Sequence, residues 1–363
     1  MKTRDYNVDL FRVIATIFVI ILHVLGQGGV LDNASPDGAK YWVAWFLEIL
    51  AYCAVNCFAL ISGYVMVNKT TKLKNIVSLW FTVFFYSVLI TAVFGLFLPE
   101  TRSIKKLVYA CLPVIRKQWW YVSSYFALFV AMPILNAAIH NISKKLFEKI
   151  LLVILIAVCI IDCGDPKDPF VLSDGYSPIW LMILYLFGGY IRKYDVKEKV
   201  TALKSAGAFW IAILLTFLSK FCIHFVTKKI FGEEILDNTF VSYTSITIVL
   251  ASVSLFLYCL NTKISKFSQK AIGLVAPATF GVYLIHVHPL VFDYIVKDAF
   301  AGFVNQHLPV MLLCVLVATV LIFFVCTAID LIRIQFFKLI KVDRWSEKIE
   351  EKTTALWLKV FKA

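Results

Sequence analysis

Residues 8–26, VDLFRVIATIFVIILHVLG, form an apolar run long enough to cross a bilayer as one helix. The run is interrupted by Asp9, Arg12 and His23, and charged groups inside a span are costly, so they point to function. Arg12 and His23 are eleven residues apart, about three helical turns, which puts them on one face roughly 16 Å apart along the axis. Asp9 is three residues before Arg12, within reach for an ion pair. Thr16 and Ile20 lie between them on the same face. Ten such apolar segments recur, at roughly 8–26, 42–66, 76–98, 119–139, 147–162, 178–191, 207–226, 240–260, 277–296 and 309–332. The pattern predicts an all-α polytopic membrane protein of about ten transmembrane helices. Residues 1–332 form the membrane domain, and 333–363 a basic cytoplasmic tail that lies on the membrane surface as a helix.

Lysine and arginine orient the chain. With the N-terminus inside, the inner connections carry sixteen, the tail from Arg333 adds eight, and the outer connections hold ten. This excess places both termini in the cytoplasm, as an even number of spans requires. Five of the outer ten fall between Arg102 and Lys117, flanking the stripe Ile104, Leu107, Val108, Cys111, Leu112 and Ile115. That spacing predicts an amphipathic helix on the outer interface, a solvated lid or a holder of an anionic acceptor.

Composition agrees. The chain of 363 residues is 61% hydrophobic with mean hydropathy +0.82, well above soluble domains. The net charge of +13 is explained by the positive-inside rule and anionic lipid, not by nucleic acid. The first run is too long, and too charged on one face, for a cleaved signal peptide. Cys53/Cys57 and Cys159/Cys163 read as core residues. Four aspartates in the 162–178 loop lack calcium-loop spacing, and no His pair suits zinc, so no metal site is expected.

Given this topology, two polar clusters emerge. The inner one is basic: Arg12 with the loop lysines Lys69, Lys72 and Lys74, joined by Arg192. The outer one holds His23, Glu48, Lys220, His224, Tyr283, His286, His288 and Asp293. His286 and His288 are two apart, so at most one faces the cavity of His23. Trp119, Trp120 and Tyr121 open the fourth span as an interfacial aromatic belt. Lys220 snorkels outward, with His224 beside it at the outer rim.

These residues also carry a resemblance. Asp9-Leu-Phe-Arg12 followed by His23 resembles the Arg-x10-His signature of the acyltransferase 3 family of bacterial membrane O-acyltransferases. Phe58-Ala-Leu-Ile-Ser-Gly-Tyr64 is similar to the family's second-span stretch. Trp119-Trp-Tyr-Val-Ser-Ser-Tyr125 with Met132-Pro-Ile-Leu-Asn136, and Tyr283-Leu-Ile-His286, resemble its later segments. Asn56 stands where many members have Asp, and lysines follow the second span where many have an arginine pair. The chain ends soon after its last span, without the esterase-like domain of some members, so transfer is expected to finish within the membrane.

The resemblance implies a plasma-membrane enzyme, a cytoplasmic acyl donor, usually acetyl-CoA, and a glycan or lipid-linked sugar hydroxyl as acceptor. No permanently bound cofactor is implied. The donor's anionic nucleotide end suits Arg12 with its partner Asp9 and the lysines Lys69, Lys72 and Lys74. His23 is the general base or a transient acyl carrier. Glu48 is the candidate to orient it, and His286 the other candidate for the chemistry. A glycan or lipid flippase and an acyl-CoA sensor are the rival classes. A flippase fold commonly carries internal repeats, and none is detectable here.

Overall fold

Asp5 starts the first helix. Its carboxylate accepts from the N–H groups of Asn7 and Val8, and α1 runs Tyr6–Leu25. The computed structural model describes residues 4–36, 38–158, 168–236 and 238–361. After α1 come α2 (Ala39–Ala51), α3 (Ala54–Met66), α4 (Leu73–Phe97), α5 (Trp120–Asn141), α6 (Lys144–Ile156), α7 (Pro178–Lys193) and α8 (Ala202–Phe231). The chain continues with α9 (Ile246–Asn261), α10 (Lys266–Val275), α11 (Thr279–His286), α12 (Leu308–Leu339) and α13 (Val342–Phe361). The described residues contain no strand, and the all-α expectation holds.

By length and composition, six helices can cross a membrane, with α2–α3 taken as one. The bent pair around α11 makes seven. The remaining apolar helices α6, α7 and α9 have 13, 16 and 16 residues. Each expected apolar segment carries helix among its described residues, but several are broken. The second segment breaks at Tyr52–Cys53, between α2 and α3. The ninth bends by 65° between His286 and Pro289. Cys159 and Cys163 lie outside the described residues, whereas Cys53 and Cys57 are buried in the core.

α1 is the centre of the bundle, packed against α2, α3, α9, α10, α11 and α12. By contrast α8 and α12 turn Ile211, Leu214, Leu218, Leu313, Leu321 and Phe324 outward. Large apolar side chains exposed in rows are lipid-facing surface. α3 and α7 meet through glycines: a Cβ on Gly63 would lie 2.0 Å from the Tyr185 carbonyl oxygen. Small residues permit such close approach in membranes.

The basic connections gather at one end. There Arg4 donates to the Gly273 carbonyl, Asn261 to the carbonyls of Lys197 and Val200, Lys193 to that of Ile139, and Asn136 to that of Met66. Tail helix α13 folds against the start of α4. Lys74 Nζ donates to Glu347 at 2.9 Å, the Phe81 and Trp345 rings meet at 6.2 Å, and Lys74 holds the Glu347 carboxyl below the usual carboxylate range. α12 itself continues through Arg333 to Leu339, and Arg333 pairs with the buried Asp330.

The segment after α4 is less helical than its apolar stripe predicts. Only Ile104–Ala110 is α-helical, between a 3-10 turn at Pro99–Thr101 and turns leading to Trp119. Its basic groups stack locally: Arg116 lies 4.1 Å and Lys105 5.6 Å from the Tyr109 ring.

Candidate active site

His23, near the end of α1, meets His286, the last residue of α11. His23 Nδ1 and His286 Nε2 are 3.0 Å apart. His286 Nδ1 lies 2.6 Å from the Val282 carbonyl oxygen. A carbonyl only accepts, so His286 Nδ1 carries the proton and, in the neutral ring, Nε2 is bare. His286 Nε2 then accepts from His23 Nδ1–H. This network assigns the tautomer of His23 and leaves its Nε2 lone pair unused by the pair. His286 is 2% exposed, whereas His23 lines a cavity of about 690 Å³. The paired ring holds His23 at a fixed angle, and His23 presents the basic nitrogen.

The cavity runs along the polar face of α1 from Arg12 to Gln27. Arg12 Nη1 donates to Asp9 Oδ1 at 2.9 Å, and Arg4 pairs with the other carboxylate oxygen. Arg12 also lines a second cavity of about 970 Å³ at the basic end, together with Arg4, Lys69 and Arg192. Arg192 is aimed by Tyr64: its Nη1 donates to the phenol oxygen at 3.1 Å, and its guanidinium lies 5.1 Å from the ring. Tyr64 follows the close-packed Gly63, so one stretch of α3 both fixes a helix pair and shapes the vestibule. Arg12 is therefore the neck between a basic vestibule and an aromatic chamber.

Of the sequence-predicted site residues, His23, Glu48 and Arg12 line the chamber, and His286 backs it. Arg12, Asp9 and Lys69 line the vestibule. Lys72 and Lys74 do not. Lys74 is drawn away by Glu347, and Lys72 is the residue that begins α4. Glu48 does not orient His23. The orienting position is filled by His286, and no hydrogen bond links Glu48 to the imidazole. Glu48 lies by Gly26, where an added Cβ would come 4.0 Å from Glu48 Oε1. Of His286 and His288, only the first reaches His23. His288 accepts at Nδ1 from the Leu290 N–H, and its Nε2 contacts the Gln118 amide at 2.9 Å.

Two other expectations are corrected. Trp119 is buried at 1% exposure against His288, not in an interfacial belt. Lys220 and His224 do not snorkel. Both are fully buried, Lys220 Nζ donating to Asn238 at 2.7 Å and lying 3.6 Å from the Trp45 ring, and His224 Nε2 lying 3.4 Å from Glu234. A charge this deep needs such partners.

The sequence reading placed Tyr283 in the outer cluster and named Tyr121, but missed the tyrosine wall to which they belong. Tyr52, Tyr121, Tyr125, Tyr176, Tyr243 and Tyr283 all line the chamber. Among buried polar atoms there, Glu48 Oε2 and the hydroxyls of Tyr121 and Tyr283 have no protein partner. Asn56, at the departure from the family pattern, has a structural role: it accepts from Trp180 Nε1 and donates to the Tyr243 carbonyl, both at 2.9 Å.

A cluster behind α11 sets its position. Asp330, fully buried, accepts from Tyr86 Oη at 2.7 Å and from Arg333 Nε and Nη2 at 2.9 and 2.8 Å. It presses on Gly281, where an added Cβ would lie 1.9 Å from Asp330 Oδ1. The next residue, Val282, supplies the carbonyl that fixes the His286 tautomer.

Comparison with known proteins gives one finding. A family model described as an acyltransferase domain matches residues 5–328. No curated protein and no solved structure matches the chain. The match covers nearly the whole chain, and the chain belongs to this acyltransferase family.

Proposed function

We propose, with that membership as premise, that the chain moves an acetyl group from cytoplasmic acetyl-CoA to a hydroxyl of a glycan or lipid-linked sugar on the far side of the cell membrane. The carrying observation is the pair of cavities that share Arg12, one basic and one lined by His23. Ten passes with both termini in the cytoplasm fit the gathering of the basic connections at the Arg12 end.

In this reading the nucleotide and phosphates of the donor sit in the vestibule, on Arg4, Arg12, Lys69 and Arg192. Guanidinium groups bind phosphate bidentately. The thin pantetheine arm passes Arg12 and brings the thioester to His23. The acceptor enters the chamber from the other end. His23 Nε2 takes the hydroxyl proton, the oxygen forms a bond to the acyl carbon, and the C–S bond breaks. The departing thiolate recovers the proton from His23 as CoA-SH. The chamber's volume of about 690 Å³ is within the usual range for small-molecule sites. It accommodates the thioester end and a sugar together, which favours direct transfer over an acyl-histidine.

Purified protein in lipid nanodiscs, given acetyl-CoA and an acceptor, should consume the thioester. A flippase or an acyl-CoA sensor would bind its ligands and leave the thioester intact, and that result would end this reading.

A further inference from the structure

Beyond Arg12 the chamber holds carboxyl groups and, among the described residues, no other arginine or lysine. Its acidic members are Glu48 and Asp293. Glu48 is 8% exposed, and its Oε2 has no partner in the protein. A carboxylate withdrawn from water without a donor is costly, and an ammonium would supply both the missing donor and the opposite charge. Asp293 is exposed at the mouth. The Tyr243 ring stands between those of Tyr52 and Tyr176, at 4.8 and 5.1 Å, on the same chamber wall. Aromatic faces attract cations most strongly where water is excluded.

The spacing suits one sugar ring. Gly26, beside Glu48, is three residues past His23, about 4.5 Å along α1. A monosaccharide spans that distance, with one hydroxyl at His23 and another substituent at Glu48. We infer that the acceptor is a cationic amino sugar, its ammonium held between Glu48 and the tyrosine faces while a hydroxyl meets His23. An anionic sugar would meet two carboxylates. A neutral one would offer Glu48 no charge-assisted hydrogen bond. This inference rests on the acyl-transfer reading and specifies its acceptor.

Three probes share one ring and differ in charge: D-glucosamine, D-glucose and D-glucuronate. Each is offered with acetyl-CoA to the full-length protein in nanodiscs, and thermal stabilisation by each probe is read in parallel, without turnover. Glucosamine should stabilise most and show a KM about tenfold below that of glucose, with glucuronate weakest. Glu48→Gln should cut the glucosamine advantage to within about threefold while leaving the KM for acetyl-CoA unchanged. Asp293→Asn, at the exposed mouth, should weaken glucosamine by less. Equal stabilisation by glucosamine and glucose, a preference for glucuronate, or an amine preference that survives Glu48→Gln would overturn the inference. The probe ranking on the unaltered protein stands even where Glu48→Gln fails to fold. Absence of thioester consumption with every acceptor would instead sink acyl transfer, and the stabilisation ranking would still decide the charge of the bound sugar.

Discussion

His286 Nε2 accepts from His23 Nδ1–H across 3.0 Å, linking residues 263 apart in sequence. The bond does for an imidazole what a carboxylate does in a triad, fixing tautomer and orientation. It does so without placing a second negative charge beside the base.

His23→Ala should therefore lower kcat by about 10²–10⁴-fold, the worth of a positioned general base, while acetyl-CoA binding persists. Isothermal titration with a non-hydrolysable acetyl-CoA analogue checks the second half. A loss under tenfold would return His23 to a packing role.

His286→Phe fills the space but removes the acceptor for His23 Nδ1–H. A fall in kcat of about 10–10²-fold with donor KM unchanged is expected. His286→Gln, whose side-chain oxygen still accepts, should recover part of it. Equal losses in both variants would mean that the hydrogen bond is not the reason.

Arg12→Ala should raise the KM for acetyl-CoA more than that for the acceptor, because Arg12 lines both cavities and, on the proposed reading, would meet the donor phosphates in the vestibule. Arg12→Lys keeps the charge and loses the fork, so it should rescue only in part. Lys74→Ala should leave donor KM within about twofold and loosen α13 instead, read as faster proteolysis of the tail.

Gly281→Ala drives a methyl into Asp330, 1.9 Å from its carboxylate oxygen. Overpacking of this kind costs about 1–3 kcal/mol, and any retreat of α11 carries His286 away from His23 on α1. Lowered thermal stability should come with lowered kcat. His224→Ala provides the contrast. This fully buried ring should cost about 2–4 kcal/mol of stability, with kcat per folded molecule preserved.

Cysteine labelling in intact cells tests the orientation. Residues 99–118 should react from outside and residues 192–206 should not. The reverse pattern would invert the donor and acceptor sides.

What the sequence made legible was whatever broke its own background. Arg12 and His23 stood out because charge in an apolar run is expensive, and helical spacing put them on one wall. The tyrosine wall did not stand out. In a chain 61% hydrophobic, a cavity-lining Tyr and a packing Tyr have the same neighbours in sequence. Only the break at Tyr52–Cys53 and the turn carrying Tyr243 bring those rings together. Lys220 and His224 were misjudged for a related reason. Depth along a helix was readable, but the partners that make burial tolerable, Asn238 and Glu234, come from the connection after α8. Lys72 and Lys74 were grouped with Arg12 by proximity in topology, but neither lines the vestibule, and Lys74 pairs with Glu347 of α13 instead.

Arg12 at the neck also bears on what the protein must refuse. A route that carries a thioester across a membrane is a route for ions as well, and the membrane potential drives cations through any wet gap. A guanidinium held by Asp9 where the two cavities share a residue would repel hydronium and sodium, as fixed positive charges do in water-selective pores. It still leaves an uncharged arm free to pass. On the proposed reading the residue that receives the donor would also insulate the membrane around it, and a chain lacking that positive charge would exchange acyl transfer for a leak.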